Sequence, residues 1–220
     1  MADSRVGPVH HPSEARLLDY ASGATREPVA LLIATHLALC PGCRRKVGEL
    51  EAVGGALLES LPVEPVKDDS LSRLLARLDR PDTTEPAAPV RSPGDPILPQ
   101  PLRDYVGRLD QVAWRHLGPI AQVRLLPGFE GLTTRLVRIR PAAAMPRHTH
   151  AGTELSLVLQ GGFSDAAGHY RRGDVAEADS AVDHQPITDP DEECLCLAVL
   201  DAPVRLTGRL GRLLNPFIRS

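Results

Sequence analysis

Apolar positions recur at three- and four-residue intervals through the first eighty residues, then at two-residue intervals or in short runs beyond residue 112. The first period belongs to amphipathic helices and the second to strands with one buried face. Four helices follow from the first pattern. Ser13 stands as a cap before EARLLDYA, and Gly23 is a natural stop. A second helix is expected over about 27–39, EPVALLIATHLAL, with Pro28 in its first turn. It is apolar on most of its surface, so it should be central to its small domain. A third runs from near Pro41 to about Leu61, with Val47, Leu50, Val53, Leu57 and Leu58 at helical spacing. A fourth fits 69–79, where Leu71, Leu74, Leu75 and Leu78 share a face.

Seven prolines between 81 and 101 (PDTTEPAAPVRSPGDPILPQP) forbid a continuous helix and predict an extended linker. Beyond it, VAWRHLGPIAQVRLL, LTTRLVRIR, TELSLVLQGGFSD, GHYRRGDVAEA and CLCLAVLD read as strands separated by Gly, Pro and Asp. Many short strands at this spacing predict a β-sandwich or barrel. The expected organisation is therefore α+β and multidomain: a helical bundle over 1–80, a linker over 81–101 and a β-barrel domain over 102–220.

Composition narrows the function. The chain has 220 residues, 42% hydrophobic and 24% charged, with a net charge of −3. There is no basic excess of the kind nucleic-acid binding requires, so no direct nucleic-acid contact is expected. The N-terminus lacks the apolar core of a signal peptide, and no apolar run approaches the roughly 20 residues that span a bilayer. A cytoplasmic protein with no membrane association is expected. The four cysteines form two close pairs, 40/43 and 194/196. In a reducing compartment such pairs read as metal-binding or redox-active rather than as disulfides.

His36, Cys40 and Cys43 carry the strongest chemical signal. In a helix His36 and Cys40 lie one turn apart on one face, and a break at Pro41-Gly42 lets Cys43 swing back to the same point. One imidazole and two thiolates suit tetrahedral Zn²⁺, with His10 or His11 as fourth ligand. A second group follows in HTHAGTELSLVLQG. His148 and His150 share a strand face, Glu154 opens the next apolar run, and His184 lies beyond the Gly173-Asp174 turn. Three imidazoles and a carboxylate form a divalent-metal shell. Cys194 and Cys196 fall on one face of CLCLAV, as small core residues or as a redox pair. His10, His116 and His169 are expected to be solvated or locally hydrogen-bonded, and Arg44-Arg45-Lys46 to form a solvated helix face.

H-x-H-x3-E-x6-G, from His148 to Gly161, resembles the first cupin motif, and Gly173 to His184 resembles the second. Three departures stand out: Ala142 occupies a position usually held by Gly, the Pro-x-Gly usual before the second motif's His is missing, and Thr188 stands where an Asn often follows. A zinc-binding helical domain carrying an upstream His and H-x3-C-x2-C, followed by a cupin-like domain, resembles the ChrR family of anti-sigma factors over nearly the full chain. HHPSEARLLDYASG, VALLIATHLALCPGCR and EAVGGALLE carry that likeness alongside the cupin residues. The resemblance implies His11, His36, Cys40 and Cys43 as zinc ligands, and His148, His150, Glu154 and His184 as ligands of a second ion, zinc or another divalent metal. Cys194-Leu195-Cys196 matches a C-x-C of relatives. The implied partner is one extracytoplasmic-function sigma factor per chain, released under singlet-oxygen or peroxide stress. A chain of this kind is a regulator and not an enzyme. The rival reading is a metal-dependent cupin dioxygenase or isomerase with a helical regulatory appendage.

Overall fold

In the computed structural model, residues 7–78, 95–208 and 215 are described. The first helices are α1 (Glu14–Ala21), α2 (Glu27–Leu39), α3 (Pro41–Glu59) and α4 (Ser70–Leu78). Gly23 ends the first with a φ of 74°, a conformation open to glycine. Pro28 sits in the opening turn of α2, where a missing N–H is harmless. Only Cys40 separates α2 from α3; Pro41 begins the next helix at once.

The two faces of α2 serve different cores. Ile33 and Leu37 join Leu17 and Val47 inside the helical unit. Leu31 and Leu32 join Leu136, Leu157 and Leu197 of the β domain. The all-round apolar surface of α2 thus places it between two domains rather than at the centre of one. Outside these cores the helical unit is thinly packed. Val53, Leu57 and Leu58 on α3 are exposed, and α4 buries no residue, its four leucines being 50–73% exposed.

The expected linker falls partly outside the described residues, over 81–94. The rest is ordered against the β domain. Leu98 is fully buried beside Leu31 and Leu102. Helix α5 (Gln100–Val106) starts inside this stretch, with Pro101 in its first turn. Tyr105 of α5 donates a hydrogen bond to Glu27 at the start of α2.

The β domain contains β1 (Arg115–Leu117), β2 (Ile120–Leu125), β3 (Thr133–Ile139), β4 (His148–His150), β5 (Glu154–Gln160), β6 (Gly162–Asp165), β7 (Gly168–Arg171), β8 (Val175–Ala178), β9 (Asp183–His184), β10 (Ile187–Thr188), β11 (Cys194–Leu200) and β12 (Val204–Leu206). They form a six-stranded sheet, β1-β2-β3-β11-β5-β8, and two three-stranded sheets, β10-β6-β7 and β12-β4-β9. The expected barrel is present as facing sheets that are not closed into one hydrogen-bonded cylinder. Alternation along β5 and β11 divides the large sheet cleanly. Leu155, Leu157, Leu159, Leu195, Leu197 and Val199 pack outward against α2 and α5. Val158, Cys194 and Cys196 pack with Ile139, Phe163 and Tyr170 on the opposite face. No helix among the described residues is long and apolar enough to cross a membrane.

Candidate metal centres

The structure gathers His11, His36, Cys40 and Cys43, with one donor atom from each within 4.8 Å of all the others. His11 Nδ1 lies 3.5 Å from both Cys40 Sγ and Cys43 Sγ. Tetrahedral bonds of about 2.3 Å to sulfur and 2.0–2.1 Å to nitrogen put these atoms about 3.5 Å apart, so the edges match a single ion. His36 is fully buried in the last turn of α2. Its Nδ1 donates to the carbonyl of Gly173 at 2.8 Å, while its Nε2 has no partner among the described residues. A buried nitrogen with an unused lone pair, aimed at two thiols, fits a metal ligand better than a packing histidine.

The local backbone explains this convergence. Cys40 leaves the helix in an extended conformation, and its sulfur accepts the backbone N–H of Cys43 at 3.4 Å in the opening turn of α3. Burial, followed by the hydrogen bond to Cys40, pushes the Cys43 thiol up to about 12. Burial also lowers the His36 pKa, against the opposing pull of the Gly173 carbonyl, and so favours the neutral ring that a metal needs. Arg44 donates to the carbonyl of Leu37 at 2.5 Å, and Lys46 pairs with Glu14 at 3.2 Å. The basic cluster therefore partly ties α3 to α2 and α1. His10 stays outside the cluster, its ring 4.4 Å from Tyr170.

The second group brings His148, His150 and His184 together. The Nε2 atom of His184 is 3.2 Å from the Nε2 atoms of both His148 and His150. Three imidazoles bound to one ion at 2.0–2.1 Å have nitrogens about 3.3 Å apart. The outer nitrogens face acceptors: His148 Nδ1 the carbonyl of Pro146 at 2.8 Å, and His184 Nδ1 the buried Asp165 carboxylate at 2.7 Å. Such contacts fix tautomer and ring orientation. Burial is the main cause lowering the pKa of both His148 and His150. Glu154 stands beside this cluster rather than in it. One carboxylate oxygen is 3.3 Å from His150 Nδ1, misaligned for a hydrogen bond, and the other accepts from Ser156 at 2.8 Å.

Cys194 and Cys196 are buried with sulfurs 3.6 Å apart. The hydrogen bond to Cys194 and burial hold the Cys196 thiol well above its usual range, which disfavours the reactive thiolate. His169 contacts Asp189 at 2.9 Å, and His116 is exposed. The sequence reading missed Asp165 and the structural part played by Gly173 and Asp174. Their signal is weak, because small residues and aspartates in turns are ordinary.

Two of the motif departures, Ala142 and Thr188, acquire a physical account. Ala142 adopts a φ of 54°, a left-handed conformation where glycine is at ease. Thr188 is buried, and its hydroxyl accepts the N–H of Ala143 at 2.9 Å and donates to the carbonyl of Arg140 at 2.7 Å, tying down the same loop.

Residues 102–203 match the family described as ChrR Cupin-like domain. The chain is 42% identical over 211 residues to the anti-sigma-E factor ChrR of Cereibacter sphaeroides, covering 96% of this chain and 98% of that protein. It is also similar to a chain in the crystal structure of Rhodobacter sphaeroides SigE in complex with the anti-sigma ChrR. That match has a TM-score of 0.75 and 40% identity, and covers 87% of this chain and 98% of the other.

Proposed function

The chain belongs to the ChrR family, and from that premise we propose that it is an anti-sigma factor that sequesters one extracytoplasmic-function sigma factor in the cytoplasm. The observation that carries this reading is the apolar face left open on α3 and α4, where Leu57, Leu58, Leu71, Leu74, Leu75 and Leu78 are exposed. An amphipathic helix that buries nothing of its own is fitted to bury its face on a partner.

His11, His36, Cys40 and Cys43 would hold Zn²⁺. Four protein donors close the shell, so this ion is structural: it fixes the entry to α1 and the α2–α3 junction, and hence the pose of the sigma-binding helices. His148, His150 and His184 would hold a second divalent ion, for which Zn²⁺ is our assignment. Glu154 would complete that shell by exchanging its contact with Ser156 for the metal. The β domain then acts as the sensor of singlet-oxygen or peroxide stress, with binding rather than turnover as its task.

The test uses the full chain, because Leu31 and Leu32 share the core of the β domain. Co-purification with sigma factors of its own genome should yield a one-to-one complex containing two zinc ions. A Leu74→Asp/Leu75→Asp chain that folds normally and still inhibits fully would sink the docking surface. A His148→Ala/His150→Ala chain should bind sigma yet no longer release it under singlet oxygen. An unaltered response would sink the sensor assignment.

A further inference from the structure

The metal cluster of the helical unit is not built by that unit alone. Contacts from the turn between β7 and β8, in the other domain, reach His36 and the segment that leads into His11. The carbonyl of Gly173 accepts the Nδ1 proton of His36. Asp174 Oδ1 accepts the backbone N–H groups of Val9 and His10 at 2.7 and 2.9 Å, immediately before His11. The N–H of Val175 returns a hydrogen bond to the carbonyl of His10 at 3.1 Å.

Asp174 is only 2% exposed. A carboxylate is costly to bury unless its oxygens are filled. Its Oδ2 accepts the N–H of Arg171 at 2.8 Å, which serves its own turn. The remaining oxygen is filled by the segment that carries His11. Gly173 has a φ of +94°, and a side chain there would place its Cβ 2.6 Å from Pro8 Cγ. The close approach of the N-terminal segment therefore requires glycine at this point.

The same turn is bonded to β5, a strand that borders the second cluster without carrying its histidines. Gly173 donates to the carbonyl of Val158, and Val158 donates to the carbonyl of Asp174, at 2.8 and 3.0 Å. Val158 lies on β5, the strand that opens with Glu154. The His10 ring packs on Tyr170, and Tyr170 stacks on Phe163 at 4.9 Å. Phe163 belongs to β6, whose Asp165 orients His184.

We propose that Gly173 and Asp174 are positioning residues of the N-terminal metal site, so that the ion at His11, His36, Cys40 and Cys43 is held more tightly while the cupin domain is natively packed. This rests on reading the cluster as a metal site and is independent of the identity of the partner. A disturbance at β5 then reaches the helical unit through this turn, and one at β6 through the stacked Phe163, Tyr170 and His10 rings. Coupling of this kind is reciprocal: the N-terminal ion must also favour the native packing of the turn.

The test is Co²⁺ affinity of the full chain, measured by chelator competition. Thiolate-to-cobalt charge transfer isolates the cysteine-bearing site from the three-histidine site. Asp174→Ala should weaken Co²⁺ binding there by about 10–100-fold, the usual loss for an outer-shell partner. Asp174→Asn keeps one oxygen for Val9 and His10 and should fall between the two. An Asp174→Ala chain that folds cooperatively and binds Co²⁺ within about twofold of the parent overturns the proposal. If Asp174→Ala does not fold, amide exchange on the parent decides. Val9 and His10 protected like Val175 support the contact, and exchange at the rate of a free peptide overturns it. Weakened Co²⁺ binding in the variant, with no sigma factor bound by the parent, removes the anti-sigma reading and leaves the positioning role standing.

Discussion

Leu32→Ala should destabilise both domains together. Leu32 is fully buried on the face of α2 that meets Leu136, Leu157 and Leu197 of the large sheet, with Leu98 and Leu102 in the same cluster. Its removal forfeits the transfer free energy of the deleted carbons and leaves a cavity between a helix and a sheet that are both anchored elsewhere. Leu→Ala changes in such closed sites cost about 3–5 kcal/mol. With a urea slope of about 2–3 kcal/mol per molar, the midpoint should fall by roughly 1–2 M. Two probes separate the domains. The chain's single tryptophan, Trp114, sits against this core with Arg138 stacked 4.5 Å above its ring, and reports on the β domain. Far-ultraviolet circular dichroism reports chiefly on the helices. Both curves should shift together in the metal-loaded chain. Leu75→Ala is the control: its side chain is half exposed on a helix that buries nothing, and it should change stability by no more than about 0.5 kcal/mol. If Leu32→Ala moves only the circular-dichroism curve, or costs less than about 1 kcal/mol, the shared core is refuted.

Four further outcomes follow from particular residues. Ala142→Gly should raise stability by about 1 kcal/mol, since a left-handed alanine costs about 1–2 kcal/mol and glycine returns only part of this as chain entropy; thermal unfolding measures it, and a lower melting point would contradict the strain argument. Gly161→Ala should lose at least about 2 kcal/mol, because the position has a φ of +64° and a Cβ there would lie 2.6 Å from the carbonyl oxygen of Glu193; the same melts would expose a neutral result. Asp165→Asn should weaken metal binding at the three-histidine site by about 10–100-fold, read as metal retained after dialysis against a chelator, whereas full retention would mean that Asp165 does not orient His184. Leu74→Asp/Leu75→Asp should leave urea stability unchanged and weaken sigma-factor binding at least about a hundredfold, measured by titration calorimetry; equal affinity would place the interface elsewhere.

The helices were legible because their ends carry chemical signals. The second is expected over 27–39 and found at Glu27–Leu39; the third is expected to reach about Leu61 and ends at Glu59. What covers each apolar face was not legible. Periodicity announces a face without naming its client, so Val47 and Leu50, which pack, look the same in sequence as Leu57 and Leu58, which do not. The long strands β2, β3, β5 and β11 showed their alternation. The strands β4, β9, β10 and β12 have only two or three residues, too few for a period. Helix α5 was hidden by prolines that read as linker, although proline in a first turn is compatible with a helix start. At the first site, spacing placed three donors and left His10 and His11 open; the tertiary structure puts His11 on the thiols and His10 on Tyr170. At the second, spacing grouped Glu154 with three histidines, while the structure turns its carboxylate toward His150 Nδ1 and Ser156.

The position of α2 limits how a signal in the β domain can act. A sensor changes its partner's affinity only through a difference in free energy between two states. A flexible tether between independent domains transmits little of such a difference, because neither end depends on the other. Here the dependence is direct. Leu31 and Leu32 need the large sheet for their burial, Ile33 and Leu37 need the helical core, and His36, on the same helix, takes its orientation from Gly173. A change that loosens the sheet therefore removes apolar burial from α2 and a support from its metal ligand in one step. The two losses act on a helix joined by the single extended residue Cys40 to α3 and its exposed leucines. On the proposed reading, the docking face would then be altered by a change confined to the β domain, with nothing touching the exposed leucines themselves.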